Sequence, residues 1–460
     1  MRKVLIILLI FLSLCSTQRI KKEKLWREDI IYTNEGEKYK CEILEITEDS
    51  IYAVTELGLV AFFRKDLISF DIAKKRREGL WVTSEDITDT LLKEALAIDM
   101  SGYEQMGYVN IWTKKKLTIL TDSSYIYSIR IIRKVTSVKG RGAGTIIVNY
   151  RKNDEEIVIS FARTVTDDGR VLHLREAAIG DISIYSQFPP YENLHERKFT
   201  MREVRLGNIL DFNVIVSGKI TDESPYIMDV TLGDSTPTLS GMIEVVAPRD
   251  FELSWQQWRI ETPEIRRGYG IKILQWRADD LPPLMLESDS VPTPYILPRV
   301  VVGLADGWEK VVKRFRENLR GDYTPQAISP KEIYEEVLSF VKFVEVPSFT
   351  ISSYPENIKE IENNCIANSL DKAHLLYAAF RNAGYPVDLI LVRSKERGVV
   401  AENVPSLFQF DGALVAVGET FLDPSSEDNP YGWVRPKYQG TKGLSIRRKG
   451  LVDIPFPKME

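Results

Sequence analysis

The sequence predicts a multidomain protein that is mainly β, followed by an α+β region toward its C-terminus. Short apolar runs separated by turn residues dominate up to about residue 280, and helical spacing of apolar residues begins only after that point. A chain of 460 residues is long enough for roughly three domains. We expect a small β-barrel at 27–75, a β-sandwich at 85–280, a proline-rich linker at 281–300, an α+β core at 301–440 and a C-terminal tail at 441–460.

Composition and charge exclude several classes of protein. The chain has 61 Lys+Arg against 66 Asp+Glu, a net charge of -5, so it lacks the basic domain expected of a nucleic-acid binder. Its 10% aromatic and 28% charged residues are typical of a folded chain. With three cysteines and three histidines, we expect no metal site and no cofactor.

The N-terminus predicts export. Met1 is followed by Arg2 and Lys3, and an apolar run from Val4 to Leu14 is too short for the ~20 residues of a membrane-spanning helix. These features are typical of a signal peptide over 1–16. The mature protein is therefore expected to be periplasmic, outer-membrane-associated or extracellular.

The residues around Cys15 leave two forms of processing open. Leu12 to Cys15 resembles a bacterial lipobox, which would make Cys15 the lipid-bearing residue, but Leu14 stands where a small residue is expected. Ordinary cleavage near Cys15 or Ser16 is the favoured alternative. A lipid at Cys15 is the one route by which we expect the protein to contact a membrane.

The first domain is expected to be a small β-barrel. Short strand-like runs at Tyr39 to Ile46, Ile51 to Thr55 and Val60 to Phe63 are separated by turn residues, which is the pattern of a compact all-β module. The run resembles an SH3-like or Sm-like barrel and contains no recognisable binding motif. Cys41 in this region is expected to be a small buried hydrophobe, as is Cys365 in the core, so no disulfide is predicted.

Residues 85–280 predict an antiparallel β-sandwich. In the segment 125–131, Tyr125, Tyr127, Ile129 and Ile131 alternate with Ile126, Ser128 and Arg130. This period of two is typical of a half-buried strand. Several further runs have the same character, and Asp167 to Gly169 supplies a hairpin turn.

Two motifs in this region carry a resemblance to a known family. Phe161 to Arg170 and Val204 to Asp211 resemble the β-rich domain of unknown function that precedes transglutaminase-like cores in bacterial envelope proteins. The resemblance implies a sandwich followed by such a core. No activity is known for that domain, so the resemblance implies none for the sandwich.

Helices are expected to begin after the prolines of 281–300. Apolar residues from Trp308 to Leu319 recur at helical spacing, and Ser329 to Glu332 forms a capping box with proline at the first helical position. In the helix that follows, Ile333, Val337, Phe340 and Val341 are expected to face inward.

The segment 367–385 holds the first candidate site residue. Leu375, Leu376, Ala379, Phe380 and Ala383 predict one apolar helix face, and Asn368 or Ser369 can cap the helix. The segment resembles the nucleophile helix of the transglutaminase-like superfamily, papain-like cysteine enzymes in which Gly-Asp-Cys-Lys-Asp-Lys-Ala precedes a Leu-Leu pair. Aligned on Asp371 to Ala373, Ser369 stands at the catalytic cysteine position.

The second half of the motif lies at 409–424. A hairpin at Gly418 and Glu419 is expected to pair Val417 with Thr420 and to leave positions 412 and 423 about 7–8 Å apart. The resembled family places its histidine at the position of Gly412 and its orienting aspartate at that of Asp423. The resemblance therefore implies that the acid is present and that the base and the cysteine are replaced.

These observations favour a non-catalytic protein that binds or scaffolds a protein or glycan partner of the cell envelope. Ser369 is interpreted as a helix cap, Asp423 as a turn residue, and His374 as a residue that cannot face Ser369 because it lies about 140° around the helix. The alternative is an acyl transferase or protease that uses Ser369 or Cys365 with an unidentified base. A third hypothesis is an architectural component of a larger machine, and the oligomeric state is left open.

Overall fold

The computed structural model describes residues 29–46, 50–55, 58–71, 81–120, 123–221, 227–268, 270–284, 290–304 and 306–456. The predicted signal peptide and Cys15 lie outside the described residues. Within the described ranges, no helix is long and apolar enough to cross a membrane.

The first domain is a five-stranded antiparallel sheet with strand order β4-β3-β2-β1-β5. Its strands are β1 Asp29–Thr33, β2 Lys38–Ile46, β3 Ser50–Thr55, β4 Gly58–Phe63 and β5 Leu67–Asp71. β5 pairs with β1, so β4 and β5 are the two edges of the sheet, and the predicted closed barrel is not found among the described residues. Cys41 is buried in the core of this sheet with Ile31, Ile51 and Phe62, as predicted.

The second region is built on an eight-stranded sheet. It contains α1 Thr90–Ala97 and the strands β6 Tyr108–Ile119, β7 Ser124–Val135, β8 Thr145–Arg151, β9 Glu155–Val165, β10 Val171–His173, β11 Ile179–Ser183, β12 Leu194–Thr200, β13 Ile209–Lys219, β14 Met228–Thr231, β15 Thr238–Pro248, β16 Leu253–Trp258, β17 Glu264–Arg267, β18 Ile271–Leu281 and β19 Arg299–Leu304. The large sheet has the order β10-β9-β13-β7-β6-β15-β18-β17. Its pairs are antiparallel except β6 with β15, which run parallel, so the expectation of an antiparallel arrangement fails at that one pair.

Two three-stranded sheets complete this region, one of order β11-β12-β8 and one of order β14-β19-β16. The first shares an apolar core with the large sheet around Phe199, Leu210 and Phe212. The second shares a separate core around Ile243 and Trp276. Alternating apolar residues on the strands supply both cores, which is why the sheets stack in layers.

The sandwich motifs form a buried ion-pair network. Arg163 donates from Nε to Asp211 at 3.0 Å, and Arg130 donates from Nε to the same carboxylate at 3.1 Å. Asp211 is fully buried, and the Arg163 guanidinium lies 4.0 Å from the Trp81 ring centroid. A buried carboxylate needs such partners to offset desolvation, so these motif residues have a structural role.

The predicted proline-rich linker contributes ordered structure at its end. β19 begins at Arg299 and runs through the predicted boundary between 300 and 301, where it pairs with β14 and β16 of the sandwich. Arg299, Val300 and Val301 are buried. This strand therefore carries the chain directly from the sandwich into the C-terminal region.

The C-terminal region is α+β. It contains α2 Trp308–Glu317, α3 Pro330–Phe340, β20 Lys342–Phe343, α4 Ser348–Ile351, α5 Ile358–Asn364, β21 Ile366–Ala367, α6 Ser369–Asn382, β22 Val387–Val392, β23 Gly412–Val417, β24 Thr420–Leu422, β25 Lys442–Ser445 and β26 Gly450–Asp453. β20 and β21 pair in parallel, and the other strands form an antiparallel sheet of order β24-β23-β22-β25-β26. The last two strands of that sheet come from the segment predicted to be a tail.

Two details of the predicted helices differ in the structure. α3 begins with the predicted capping box at Ser329, but Phe340, the last residue of the helix, is 40% exposed, and its ring stacks on Tyr323 with 5.8 Å between centroids. α6 is not buried on one apolar face alone. Asp371, Lys372 and His374 are buried as well, because α6 packs against α3, α5 and the sheet and has little contact with solvent.

Candidate functional site

The N-terminus of α6 is capped by Asn368 and not by Ser369. The Asn368 Oδ1 accepts hydrogen bonds from the backbone nitrogens of Leu370 at 2.9 Å and Asp371 at 3.0 Å. Ser348 Oγ donates to the same oxygen at 3.2 Å. The interpretation of Ser369 as a cap is therefore wrong, because Asn368 satisfies the orphan donors of the first turn.

Ser369 is the first residue of α6 and is buried. Its Oγ accepts a hydrogen bond from the backbone nitrogen of Ala413 at 3.0 Å and lies 2.8 Å from the Oγ of Ser425. The hydroxyl is therefore held between β23 and the segment that follows β24. These bonds satisfy a buried polar group and do not raise its nucleophilicity.

The three histidines of the chain have other partners. His374 Nδ1 lies 3.2 Å from the carbonyl oxygen of Glu356, and burial lowers its pKa to about 4, so the ring is neutral near pH 7. His173 contacts the carbonyl of Trp81 at 2.9 Å, and His195 contacts Asp181 at 2.8 Å, both in the sandwich. Among the described hydrogen bonds, none joins an imidazole to Ser369.

Gly412 begins β23 and faces Ser369. A Cβ at this position would lie 3.1 Å from the Oγ of Ser369, which places position 412 next to the serine. The same Cβ would lie 2.8 Å from Cζ of Tyr438 and would overlap its hydroxyl oxygen. Since Tyr438 is almost fully buried, its ring fills the volume that a side chain at 412 would need.

Asp423 follows β24 and is fully buried. Its Oδ1 accepts a hydrogen bond from the backbone nitrogen of Ser425 at 3.1 Å, and its Oδ2 accepts from Arg435 Nε at 2.9 Å and from the Arg435 backbone nitrogen at 3.2 Å. Its interpretation as a turn residue alone is incomplete, because the carboxylate forms a buried ion pair with Arg435. The Arg435 guanidinium also lies 5.3 Å from the Tyr438 ring centroid.

A series of contacts links the three predicted site positions. β23 and β24 pair Val417 with Thr420, as the hairpin predicts. From there the contacts run from Asp423 through Ser425 to Ser369, and position 412 adjoins Ser369. Asp423, however, is paired with the Arg435 guanidinium, and the space beside Gly412 is filled by the Tyr438 ring. Among the described hydrogen bonds of Ser369, none is to an imidazole or a carboxylate, the side chains that usually act as a general base.

Cys365 lies apart from this cluster. It is exposed at the end of α5, with φ 52°, and its Sγ contacts the carbonyl oxygen of Glu362 at 3.2 Å. The prediction that it is a buried hydrophobe is therefore wrong, because the residue that ends α5 points its side chain outward.

Sequence reasoning missed three residues of the site: Ser425, Arg435 and Tyr438. They lie in the segment 423–441, which joins β24 to β25 and has no periodic pattern. A serine, an arginine and a tyrosine in such a segment give no local signal, because only the tertiary fold brings them to Ser369. The described residues hold no group of three His, Cys, Asp or Glu side chains that could bind a metal.

Comparison with known proteins identifies a matching domain and a solved structure of similar fold. Residues 121–284 match DUF3857, a domain of unknown function with a solved structure, which covers well under half of the chain. This match agrees with the resemblance carried by the two sandwich motifs. No curated protein matches the chain.

Among solved structures, the chain is similar to a crystal structure of a "putative protease" from Parabacteroides distasonis ATCC 8503. The two share 15% sequence identity with a TM-score of 0.66, over 77% of this chain and 72% of that chain. At this identity the similarity is one of fold alone. An M1 zinc metallopeptidase from Deinococcus radiodurans also aligns, at 13% identity over 51% of this chain and 53% of that one, but its TM-score of 0.25 does not indicate a shared fold.

Proposed function

We propose that the C-terminal region is a transglutaminase-like core that has lost catalysis, and that the protein binds or scaffolds a partner in the cell envelope. The contacts that run from Asp423 through Ser425 to Ser369, with position 412 beside Ser369 and a helix N-terminus beside an antiparallel hairpin, support the kinship of the core. The signal peptide-like N-terminus supports an exported location. The partner is an envelope protein or a glycan, and its contacts lie on the sandwich or on the core.

One observation carries the non-catalytic assignment: Tyr438 occupies the volume beside Gly412 where the family has its base. Replacement of the histidine by glycine alone would leave a cavity that solvent or a substrate group could enter. In this chain the phenol ring closes that cavity, and burial, with the carboxylate of Asp411 nearby, raises the pKa of Tyr438 well above its usual value. A phenol that stays protonated cannot act as the general base.

The magnitudes support the same conclusion. General-base assistance contributes about 10²- to 10⁴-fold to such reactions, and a serine without a base is almost entirely un-ionised at neutral pH. When catalytic groups act as one unit, removal of one of them costs about as much rate as removal of all, so Asp423 alone supplies no catalysis. Its carboxylate is in any case bound to Arg435 and not to an imidazole.

The alternative of acyl transfer or proteolysis has two nucleophile candidates. Ser369 is buried and hydrogen-bonded to Ala413 and Ser425, which argues against it. Cys365 is exposed, but its side chain bonds to the backbone carbonyl of Glu362, and no imidazole is bonded to it among the described residues. A cysteine without a neighbouring base is a poor catalytic nucleophile.

Restoration of the catalytic groups tests this proposal. Ser369→Cys with Gly412→His should show no amidase or amine-transfer activity, since the new imidazole cannot fit beside Tyr438. Adding Tyr438→Ala to this pair opens the required volume, and any activity should appear only in that triple variant. Activity in the double variant, with Tyr438 in place, would contradict the proposed role of Tyr438.

A further inference from the structure

The sandwich places one tyrosine hydroxyl at the N-terminus of α6. Tyr191 Oη accepts a hydrogen bond from the backbone nitrogen of Asn368 at 2.7 Å and donates one to Asp371 Oδ2 at 2.6 Å. The second Asp371 oxygen accepts from the backbone nitrogen of Glu356 at 2.8 Å. One side chain of the sandwich thus satisfies both a backbone donor and a carboxylate of the core.

The surroundings of Tyr191 hold it in that position. Tyr191 lies in the segment between β11 and β12, ends a short 3-10 helix that begins at Pro189, and is 2% exposed. Its ring packs in an apolar cluster that joins Leu194 of the sandwich to Val344, Val346 and Ile351 of the core. Because the cluster excludes water, neither the Asn368 nitrogen nor the Asp371 carboxylate can replace Tyr191 with solvent.

Two further donors of the first turn are also occupied. The backbone nitrogens of Leu370 and Asp371 donate to the side chain of Asn368, and the nitrogen of Leu370 is also within reach of Ser348 Oγ at 3.2 Å. Tyr191 is therefore the one contribution of the sandwich to this capping arrangement among the described hydrogen bonds. Its loss would leave a buried donor and a buried acceptor without partners.

We propose that Tyr191 is an interdomain latch that couples the segment 184–194 of the sandwich to the first turn of α6. The two hydrogen bonds make the order of one segment depend on the position of the other, so a displacement of the sheet formed by β11, β12 and β8 is transmitted to the helix that carries Ser369. This coupling does not depend on whether the core is catalytic.

Hydrogen exchange of the intact protein, followed by mass spectrometry, tests the latch. Tyr191→Phe keeps the ring and removes the hydroxyl, so exchange should rise by about tenfold or more both in peptides covering 184–194 and in peptides covering 366–372. Tyr185→Phe is the matched control, because Tyr185 packs in the same cluster and its hydroxyl makes neither of these two hydrogen bonds.

The outcomes separate clearly. Faster exchange in both segments, with the rest of the core unchanged and the Tyr185 variant like the wild type, supports the latch. Unchanged exchange in 366–372 overturns it. Faster exchange throughout the core also overturns it, because Tyr191 would then support the whole fold and not the coupling of two segments.

Discussion

Tyr438 and Gly412 are complementary in shape: the phenol ring fills the space that any side chain at 412 would enter, so that a Cβ there would lie 2.8 Å from Cζ of Tyr438. The packing of Tyr438 thus requires glycine at position 412. The two residues are 26 positions apart in the sequence, in β23 and in the segment before β25.

The first prediction concerns this pair. Gly412→Ala should lower the free energy of unfolding by about 1–3 kcal/mol, because the buried ring must move away from the new methyl group. In a Tyr438→Ala background the same substitution should cost at least about 0.5 kcal/mol less. Denaturant unfolding of the four proteins measures this coupling.

Gly450→Ala supplies the control for this cycle. Gly450 lies in β26 of the same sheet, and a Cβ there meets nothing within 4 Å. The change in unfolding free energy caused by Gly450→Ala should be the same with and without Tyr438. Equal costs of Gly412→Ala with and without Tyr438 would show that the ring does not fill this space.

The second prediction concerns the volume left by removal of the ring. Tyr438→Ala should create a buried cavity beside Ser369 and Gly412 and lower the free energy of unfolding by several kcal/mol, about 3–5 for a buried aromatic ring. Phenol added to the variant should raise its melting temperature, because a ligand that binds only the folded state stabilises it. Wild-type protein, in which the ring is present, should not respond. An equal response of both proteins would exclude a ring-shaped cavity at this position.

The third prediction concerns the carboxylate that joins the sandwich to the core. Asp229 accepts hydrogen bonds from Arg299 Nε at 2.8 Å and from an Arg393 terminal nitrogen at 2.8 Å, and both arginines are 1% exposed. Asp229→Ala leaves two buried guanidinium groups without their counter-ion and should lower the free energy of unfolding by about 3–5 kcal/mol.

Glu264→Ala is the comparison for that variant. Glu264 pairs with Arg266 on the exposed edge strand β17, where solvent screens the charges. Its removal should leave the unfolding curve unchanged within error. If Asp229→Ala behaves in the same way, the buried ion pairs do not hold the sandwich and the core together.

The fourth prediction is a pH dependence from Asp371. Burial raises the pKa of this carboxyl from 3.8 to about 6, against the opposing effect of hydrogen bonds from Tyr191 and Glu356. The folded state therefore holds the proton more tightly than the unfolded state. The resulting stabilisation is present below about pH 4 and is lost as the pH rises through about 6, by up to about 3 kcal/mol.

Comparison with Asp371→Asn isolates this contribution, since an amide does not titrate. The difference in unfolding free energy between wild type and variant should change between pH 4 and pH 7, with the wild type losing stability relative to the variant. A difference that stays constant over this range would mean that Asp371 does not titrate with a raised pKa.

Sequence patterns predicted the parts of the molecule that depend on local signals. The capping box at Ser329, the hairpin that pairs Val417 with Thr420, and the helix that begins at Ser369 are all found, because turn and cap residues act within a few positions. The family resemblance was enough to propose that positions 369, 412 and 423 lie near one another. It could not predict which contacts link them.

The parts that could not be predicted depend on contacts between distant segments. Arg435 determines the partner of the Asp423 carboxylate, and Tyr438 fills the space beside Gly412. Both residues lie in a segment without periodicity. In the same way, β19 begins in the last two residues of the predicted linker, and its place at the centre of a sheet depends on β14 and β16, which flank it. Tertiary packing, which leaves no local pattern, decides these features.

The most direct measurement of the central claim is turnover by the wild-type protein. Amidase and amine-transfer rates should be measured for the wild type, Ser369→Ala and Cys365→Ala over pH 5 to 9. If Tyr438 has replaced the catalytic base, all three proteins should give rates indistinguishable from those without protein. Turnover by the wild type that is lost in Ser369→Ala or in Cys365→Ala would contradict the account and establish the protein as an enzyme.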